Sequence, residues 1–484
     1  MNLGAAHERL AHARGDVEAI VDGARRITHR ELAADIARTA AHLHAHGIAA
    51  GHTVGVALGD HAGHLTIMLA LARLGAVLLP LDHRWTAAEQ TRVAAHFGAD
   101  AVLVEPGGAL PGQRTIAVDD RWHAAVAAAP PAAPLAAGDD LPLLISLSSG
   151  TTGRPKGPRI THDHFLARFR THWVNLGFVP DDRFVCATPL YFGAGRTFAW
   201  STLYLGGTVI LDPPPFEPAR LVETIARERA TTLFLVPTQL RRLLAEVPGH
   251  PALAGLRLLL SSGAPLTAAE RLAIRDRLNA RFCEYYASTE GGGVSLLTPA
   301  DLPAHAGTVG RAVHGVEIEI VDAAHRTLPP DTVGRLRYRS PGCATAFHRD
   351  PDASAEAFRD GWFYPGDLAR LDADGYLTLA GRAKDMIIRG GVNIYPDEIE
   401  AVLRAHPALA DVAVAGVASP DLGEEIAAYV VLRAPVDDAA LADWCAARLA
   451  PYKVPRAWHR LDALPRNASG KVVKAALAGA VPGG

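Results

Sequence analysis

Leu141-Pro142-Leu143-Leu144-Ile145-Ser146-Leu147-Ser148-Ser149-Gly150-Thr151-Thr152-Gly153-Arg154-Pro155-Lys156-Gly157 is an apolar run that gives way abruptly to hydroxyls and glycines. The apolar part predicts a short buried strand, and residues 146–157 the loop that it feeds. Ser148, Ser149, Thr151 and Thr152 offer O–H donors, and Gly150 and Gly153 let backbone N–H groups approach phosphate oxygens. Lys156 adds a positive charge. The spacing is not that of a Walker A loop. Counting from Gly150, Pro155 occupies the position of the second glycine, and Lys156 is followed by Gly157 rather than Ser or Thr. A plain surface loop is the competing reading, but it does not account for so dense a string of donors.

On either side of this loop the pattern alternates. Val54-Gly55-Val56-Ala57-Leu58 and Ala76-Val77-Leu78-Leu79-Pro80 are short apolar runs, and Leu65, Met68, Leu69, Ala72 and Arg73 between them have helical spacing. Strand–helix–strand alternation predicts a parallel sheet with helices on its faces. An Ala/Pro-rich stretch at residues 124–137 reads as a surface connector. The α/β pattern resumes through Leu258-Leu259-Leu260. From about residue 305 it changes to short strands at residues 317–321, 335–338 and 375–379, a small antiparallel sheet or barrel. After Gly381 comes a final mixed unit of about 100 residues. In it Pro396 opens a helix carrying Ile399, Val402 and Leu403, and residues 412–417 and 426–432 read as strands.

The chain of 484 residues is too long for one core of ordinary size. With 49% apolar and 20% charged residues it is globular rather than disordered. A net charge of −3, with no block of like charge, favours neither a nucleic-acid nor a membrane partner. Cys186, Cys283, Cys343 and Cys445 have neither disulfide nor zinc spacing, so a reducing cytoplasm is expected. The first residues do not form a signal peptide. The longest apolar run, Leu65 to Leu81, is broken by Arg73 and Gly75 and reads as a buried helix and strand.

Further motifs follow in order. They are Pro189-Leu190-Tyr191-Phe192-Gly193-Ala194-Gly195-Arg196, Ser262-Gly263-Ala264-Pro265, Tyr286-Ala287-Ser288-Thr289-Glu290 and Gly361-Trp362-Phe363-Tyr364-Pro365-Gly366-Asp367. After them come Gly381-Arg382-Ala383-Lys384-Asp385, Arg389-Gly390-Gly391-Val392-Asn393-Ile394-Tyr395-Pro396 and Pro465-Arg466-Asn467-Ala468-Ser469-Gly470-Lys471. With the 146–157 loop, this ordered series resembles the adenylate-forming superfamily of acyl- and aryl-CoA ligases, luciferases and peptide-synthetase adenylation domains. The organisation is closest to that of acyl-CoA synthetases.

The resemblance implies an α/β fold. A large N-terminal domain (residues 1–383) of doubly wound sheets with a small β-barrel-like subdomain precedes a mobile α+β C-terminal domain (residues 384–484). It implies ATP and Mg²⁺ as cofactors, a small carboxylic acid as substrate, and coenzyme A as the favoured thiol. A carrier-protein thiol or an amine is the alternative acceptor, and an inactive nucleotide-binding scaffold the alternative outside enzymes. Monomer and homodimer both stay open.

By the same resemblance Ser148, Ser149, Gly150, Thr151, Thr152, Gly153 and Lys156 face the phosphates, Gly263 and Ala264 flank adenine, and Tyr286 stacks on it. Thr289 contacts the α-phosphate, and Glu290 holds Mg²⁺, which takes hard oxygen ligands. Asp367 grips the ribose hydroxyls, as an ionised carboxylate can accept two hydrogen bonds, and Arg382 is a second ribose contact or a surface ion pair. Lys384 is the hinge and Gly391 lines a thiol tunnel, or else ends a tight turn. Lys471, on a glycine-containing, mobile tail, supplies the charge that stabilises adenylation. Phe192, Gly193 and Ala287 line the acid pocket. Arg196 either pairs with a second anionic group there or faces outward from its helix. Two residues depart from the family pattern: Ala287 replaces glycine, and Pro365 replaces threonine.

Overall fold

Pro142–Ile145 is a strand with Leu143, Leu144 and Ile145 buried, as its composition requires. It belongs to a sheet ordered Thr115–Ala117, Ala101–Val104, Thr53–Ala57, Val77–Pro80, Pro142–Ile145, Arg159–Thr161. The first five strands are parallel and the last is antiparallel. Helix Ala62–Leu74 crosses between Thr53–Ala57 and Val77–Pro80 and is buried on every side from His64 to Leu74, which makes it a core helix.

The computed structural model describes residues 2–131, 136, 138, 140–147, 155–389, 392–419, 421–466 and 471–480. The chain divides into two compact units, Met1–Ile318 with Tyr338–Phe363, and Glu319–Arg337 with Tyr364–Gly484. Residue 384, the boundary expected from sequence, lies inside the second.

The first unit contains a second sheet of nine strands. Its centre is six parallel strands, Phe282–Ser288, Leu258–Ser261, Thr232–Leu235, Arg183–Cys186, Thr208–Leu211 and Glu18–Asp22. Antiparallel strands close both margins. Alternation along the strands assigns the two faces to different cores. Ile20, Phe184, Val209, Phe234 and Leu260 enter one cluster, while Val21, Val185, Ile210, Leu233 and Leu259 enter another. The first cluster also takes Val54, Val56, Leu78 and Leu144 from the six-stranded sheet, with helix residues Leu65, Phe165, Phe169 and Trp200. These helices therefore form a layer shared by both sheets, the doubly wound arrangement expected.

In the second unit, Asp367–Leu371 pairs antiparallel with Leu377–Arg382 and with the first half of Gly334–Arg339. A further sheet follows, ordered Val392–Ile394, Ile387–Arg389, Gly423–Leu432, Leu409–Ser419, with Ala457–Arg460 beside Gly423–Leu432. Helix Pro396–Arg404 buries Ile399 and Leu403 against it.

Two readings are corrected. Residues 124–128 are not connector but the last turns of helix Asp120–Ala128, capped by Asp119 and anchored by buried Trp122. Alanine is the best helix former, so an Ala-rich stretch continues a capped helix. Nor is Lys471 on a loose tail. Arg466 and Val472 form a bridge around it, and downstream Leu477 is buried while Lys474 reaches Glu400 and the Val414 carbonyl, both at 2.8 Å.

Candidate active site

In the first unit, candidate residues lie at the carboxyl ends of parallel strands, where open α/β sheets bind ligands. Strand Phe282–Ser288 runs out into Thr289 and Glu290, with a bulge between Tyr286 and Ala287 against Gly292–Leu297. Gly263 and Ala264 follow strand Leu258–Ser261 next to it. Gly263 turns with φ +97°, a conformation costly for any residue with a Cβ.

The hairpin at Glu290 is pinned through its backbone. The Arg168 guanidinium donates to the carbonyls of Thr289 (3.2 Å), Glu290 (2.6 Å) and Gly342 (2.9 Å). Ala344 N–H also donates to the Glu290 carbonyl, at 2.9 Å. The Ser288 hydroxyl bonds to the Tyr338 hydroxyl at 2.6 Å and accepts from Gly291 N–H at 2.9 Å.

Ser148, Ser149, Gly150, Thr151, Thr152 and Gly153 lie outside the described residues. Downstream of them, the Lys156 ammonium lies 5.2 Å from the centroid of the Phe347 ring. Gly157 accepts from His348 N–H at 2.8 Å, and Arg159 N–H donates to Ala346 at 3.1 Å. Residues 342–348 therefore touch both the Lys156–Arg159 segment and the Glu290 hairpin.

Phe192 caps helix Gly193–Leu205, and its segment is tied down by charged groups. Leu190 N–H donates to Asp60 at 2.8 Å, and the carboxyl of Asp60 is raised by burial. Arg84 makes a two-pronged bond to Asp82 (3.0 and 2.8 Å) and also reaches the Tyr191 hydroxyl.

Arg196 does not face outward. It is 1% exposed and donates to the carbonyls of Leu190 (3.1 Å) and Tyr191 (3.0 Å) and to the Ser146 hydroxyl (3.2 Å). Arg196, Ala199, Trp200 and Leu203 share an i, i+3, i+4, i+7 stripe, and that spacing places the arginine on the buried face. Burial pushes its pKa down to about 9, with the charge of Arg168 adding to the effect, so it stays cationic at neutral pH.

In the second unit Asp367 and Arg382 stand opposite each other, with Nε 2.7 Å from Oδ1. Arg382 also donates to the Pro365 carbonyl at 3.0 Å. The two expected ribose contacts are thus also partners of one another. Lys384 sits in the turn Ala383–Asp385. Gly391 lies outside the described residues, but Arg389 and Val392 are paired on antiparallel strands, and Arg389 forks onto Glu425 (2.6 and 2.9 Å). Lys471 is exposed.

Arg168, Tyr338, Asp60, Asp82 and Arg84 were not singled out from the sequence. For Arg168 a signal existed. It follows Phe165 by three residues on the stripe Phe165, Arg168, Phe169, His172, a cation on an apolar face.

Glu290 offers a single carboxylate to a metal. Among the described residues no group of three His, Cys, Asp or Glu could hold one. This donor set fits Mg²⁺ brought by a nucleotide, which needs only one or two protein carboxylates beside phosphate oxygens.

Residues 7–348 match the AMP-binding enzyme family, and residues 398–471 match the AMP-binding enzyme C-terminal domain. The chain is 34% identical to a feruloyl-CoA synthase of Amycolatopsis sp over 98% of this chain and 97% of that protein. It is similar to ATP-bound MatB from Rhodopseudomonas palustris, with TM-score 0.89 and 31% identity over 99% and 98% of the two chains. It is also similar to o-succinylbenzoate coenzyme A synthetase (MenE) from Bacillus subtilis in complex with ATP and magnesium ion. There the TM-score is 0.90, with 28% identity over 98% and 99% of the chains.

Proposed function

The chain belongs to the AMP-binding enzyme family of adenylate-forming enzymes, and on that premise we propose how its residues divide the work of an ATP-dependent, AMP-forming acid–CoA ligase. A carboxylate oxygen of the acid attacks the α-phosphorus of ATP, and the bond to the β-phosphate bridging oxygen breaks, releasing pyrophosphate. The coenzyme A sulfur then attacks the acyl carbon, AMP departs with the carboxylate oxygen, and the thiol proton goes to solvent. What carries this reading is that the likeness to CoA ligases runs over nearly the whole of both chains.

Ser148, Ser149, Gly150, Thr151, Thr152, Gly153 and Lys156 hold the phosphates. Gly263, Ala264 and Tyr286 hold adenine, and Thr289 holds the α-phosphate. Glu290 holds Mg²⁺, which when bound neutralises phosphate charge. Asp367 and Arg382 hold the ribose, exchanging part of their mutual pairing for hydroxyls. Phe192, Gly193 and Ala287 bound the acid. Arg196 shapes that pocket by fixing the Leu190–Tyr191 backbone to Ser146, a role its buried hydrogen bonds support better than direct pairing with an anion. Lys471 serves adenylation and Gly391 the thiol step, with Lys384 as the functional boundary between residues 1–383 and 384–484.

No helix among the described residues is long and apolar enough to cross a membrane. All four cysteines are free, which suits a reducing cytoplasm.

The test is product analysis with ATP, Mg²⁺, coenzyme A and a panel of acids that includes ferulic and o-succinylbenzoic acids. AMP, pyrophosphate and acyl-CoA in equal amounts are expected from at least one acid. Formation of ADP and phosphate would overturn the reading. Acyl-AMP accumulating beside unconsumed coenzyme A would move the acceptor to another thiol or an amine.

A further inference from the structure

Arg168 is 6% exposed, and its three hydrogen-bond partners are all backbone carbonyls, those of Thr289, Glu290 and Gly342. Burying a guanidinium without a paired carboxylate is unfavourable, and burial holds its pKa below the usual value. The surroundings nonetheless make room for it. A Cβ built on Gly292 or on Gly342 would come within 2.8 Å of the Arg168 Cγ, so glycine at both positions lets the side chain pass. The fork's geometry suits this use, since planar N–H groups meet adjacent carbonyls at fixed angles.

The carbonyls it joins are not equivalent. Thr289 and Glu290 follow the strand Phe282–Ser288, while Gly342 begins the segment whose Ala346 and His348 bond to Arg159 and Gly157. One side chain thus ties the Glu290 peptide to the segment that also holds Gly157 and Arg159. The Ala344 bond to the Glu290 carbonyl and the Tyr338 bond to Ser288 reinforce the tie.

We propose that Arg168 is a positioning residue that fixes the Thr289–Glu290 backbone so that the Glu290 carboxylate meets a divalent cation carried by the nucleotide. The proposal rests on the reading of Glu290 as the metal-holding residue. Arg168 acts through the Thr289–Glu290 backbone and is not itself a contact of nucleotide or metal.

The experiment measures ATP binding to the full-length enzyme by calorimetry, once in EDTA and once in excess Mn²⁺. The ratio of the two dissociation constants gives the metal-dependent gain. Glu290→Gln is expected to remove most of that gain. Arg168→Lys keeps the charge but loses the fork, and is expected to lower the gain about tenfold. Its affinity in EDTA should fall by less than its affinity in Mn²⁺, because of the groups Arg168 fixes only Thr289 is a metal-independent nucleotide contact. Gly342→Ala, which crowds the Arg168 side chain, should lower the gain in the same direction and stands in if Arg168→Lys does not fold. A wild-type gain in both Arg168→Lys and Gly342→Ala, beside a lost gain in Glu290→Gln, overturns the proposal alone. Parallel loss with and without Mn²⁺ would make Arg168 merely structural and also overturns it. An unchanged gain in Glu290→Gln removes the reading of Glu290, and the proposal with it.

Discussion

The candidate residues of the first unit and those of the second are held in opposite ways. In the first, the Glu290 hairpin and the Leu190–Tyr191 segment are fixed from behind by buried arginines that spend their donors on backbone carbonyls. In the second, the cationic candidates are at the surface, while Asp367 is buried. The side chains of Arg382 and Lys384 are 46% and 50% exposed, and Lys471 is exposed as well. The same residue type therefore does two kinds of work. A buried guanidinium on carbonyls is scaffold, because removing it strands acceptors away from water. Arg382, exposed and paired with the buried Asp367 carboxylate, is exchangeable for a ligand hydroxyl that supplies the same kind of donor.

The largest expected effect that sharpens this contrast comes from the exposed side. Lys471→Ala should slow acid-dependent pyrophosphate release by about 10²- to 10³-fold, the scale for losing one transition-state charge contact. The fold should be intact by circular dichroism, and conversion of synthetic acyl-AMP and coenzyme A to thioester should be retained. Equal damage to both steps would break the assignment.

Next in size is a pH effect confined to the first unit. Burial pushes the pKa of His7, His64 and His172 down to about 3. Each is neutral when folded, so below the ordinary value of 6.5 the unfolded chain binds more protons and stability falls as pH falls. Three such groups should remove about 3 kcal/mol between pH 6.5 and 5.5. Limited proteolysis across this range should cut the first unit before the second, and the reverse order would contradict the contrast.

Arg196→Met should follow, lowering stability by about 3 kcal/mol through the stranded acceptors at Leu190, Tyr191 and Ser146. Arg382→Ala, which removes the exposed partner and leaves Asp367 open to water from that side, should cost about 1 kcal/mol, less than Arg196→Met. Urea midpoints compare the two, and equal shifts would erase the distinction between scaffold and exchangeable arginine.

Much of this was legible in the sequence where chemistry and chain order coincide. The run Leu141–Ile145 gave its strand because short apolar runs bury on both faces of a parallel sheet. The segments ending at Thr289–Glu290 and at Asp367 could be singled out because each matches the family pattern within a few consecutive residues. Arg168 escaped because its partners are 121, 122 and 174 residues away and are carbonyls, which any sequence supplies. Arg196 was legible as unusual, but its sequence left open both a pocket anion partner and an outward-facing position. Helical spacing from Trp200 and Leu203 places it inside, against the general rule that arginine is exposed. The Ala-rich residues 124–128 misled for a related reason: composition suggested a connector, whereas the Asp119 cap decided for helix.

The central claim, attack by the acid on the α-phosphorus, is tested most directly with a carboxylate labelled in both oxygens with ¹⁸O. The acid used is the one of the panel that turns over fastest. In the presence of coenzyme A, the carboxylate oxygen that bonds to phosphorus stays there when the sulfur displaces AMP. Mass spectrometry should therefore find one ¹⁸O in AMP and none in pyrophosphate. Label in inorganic phosphate with ADP as the nucleotide product, or AMP free of label, would contradict the account.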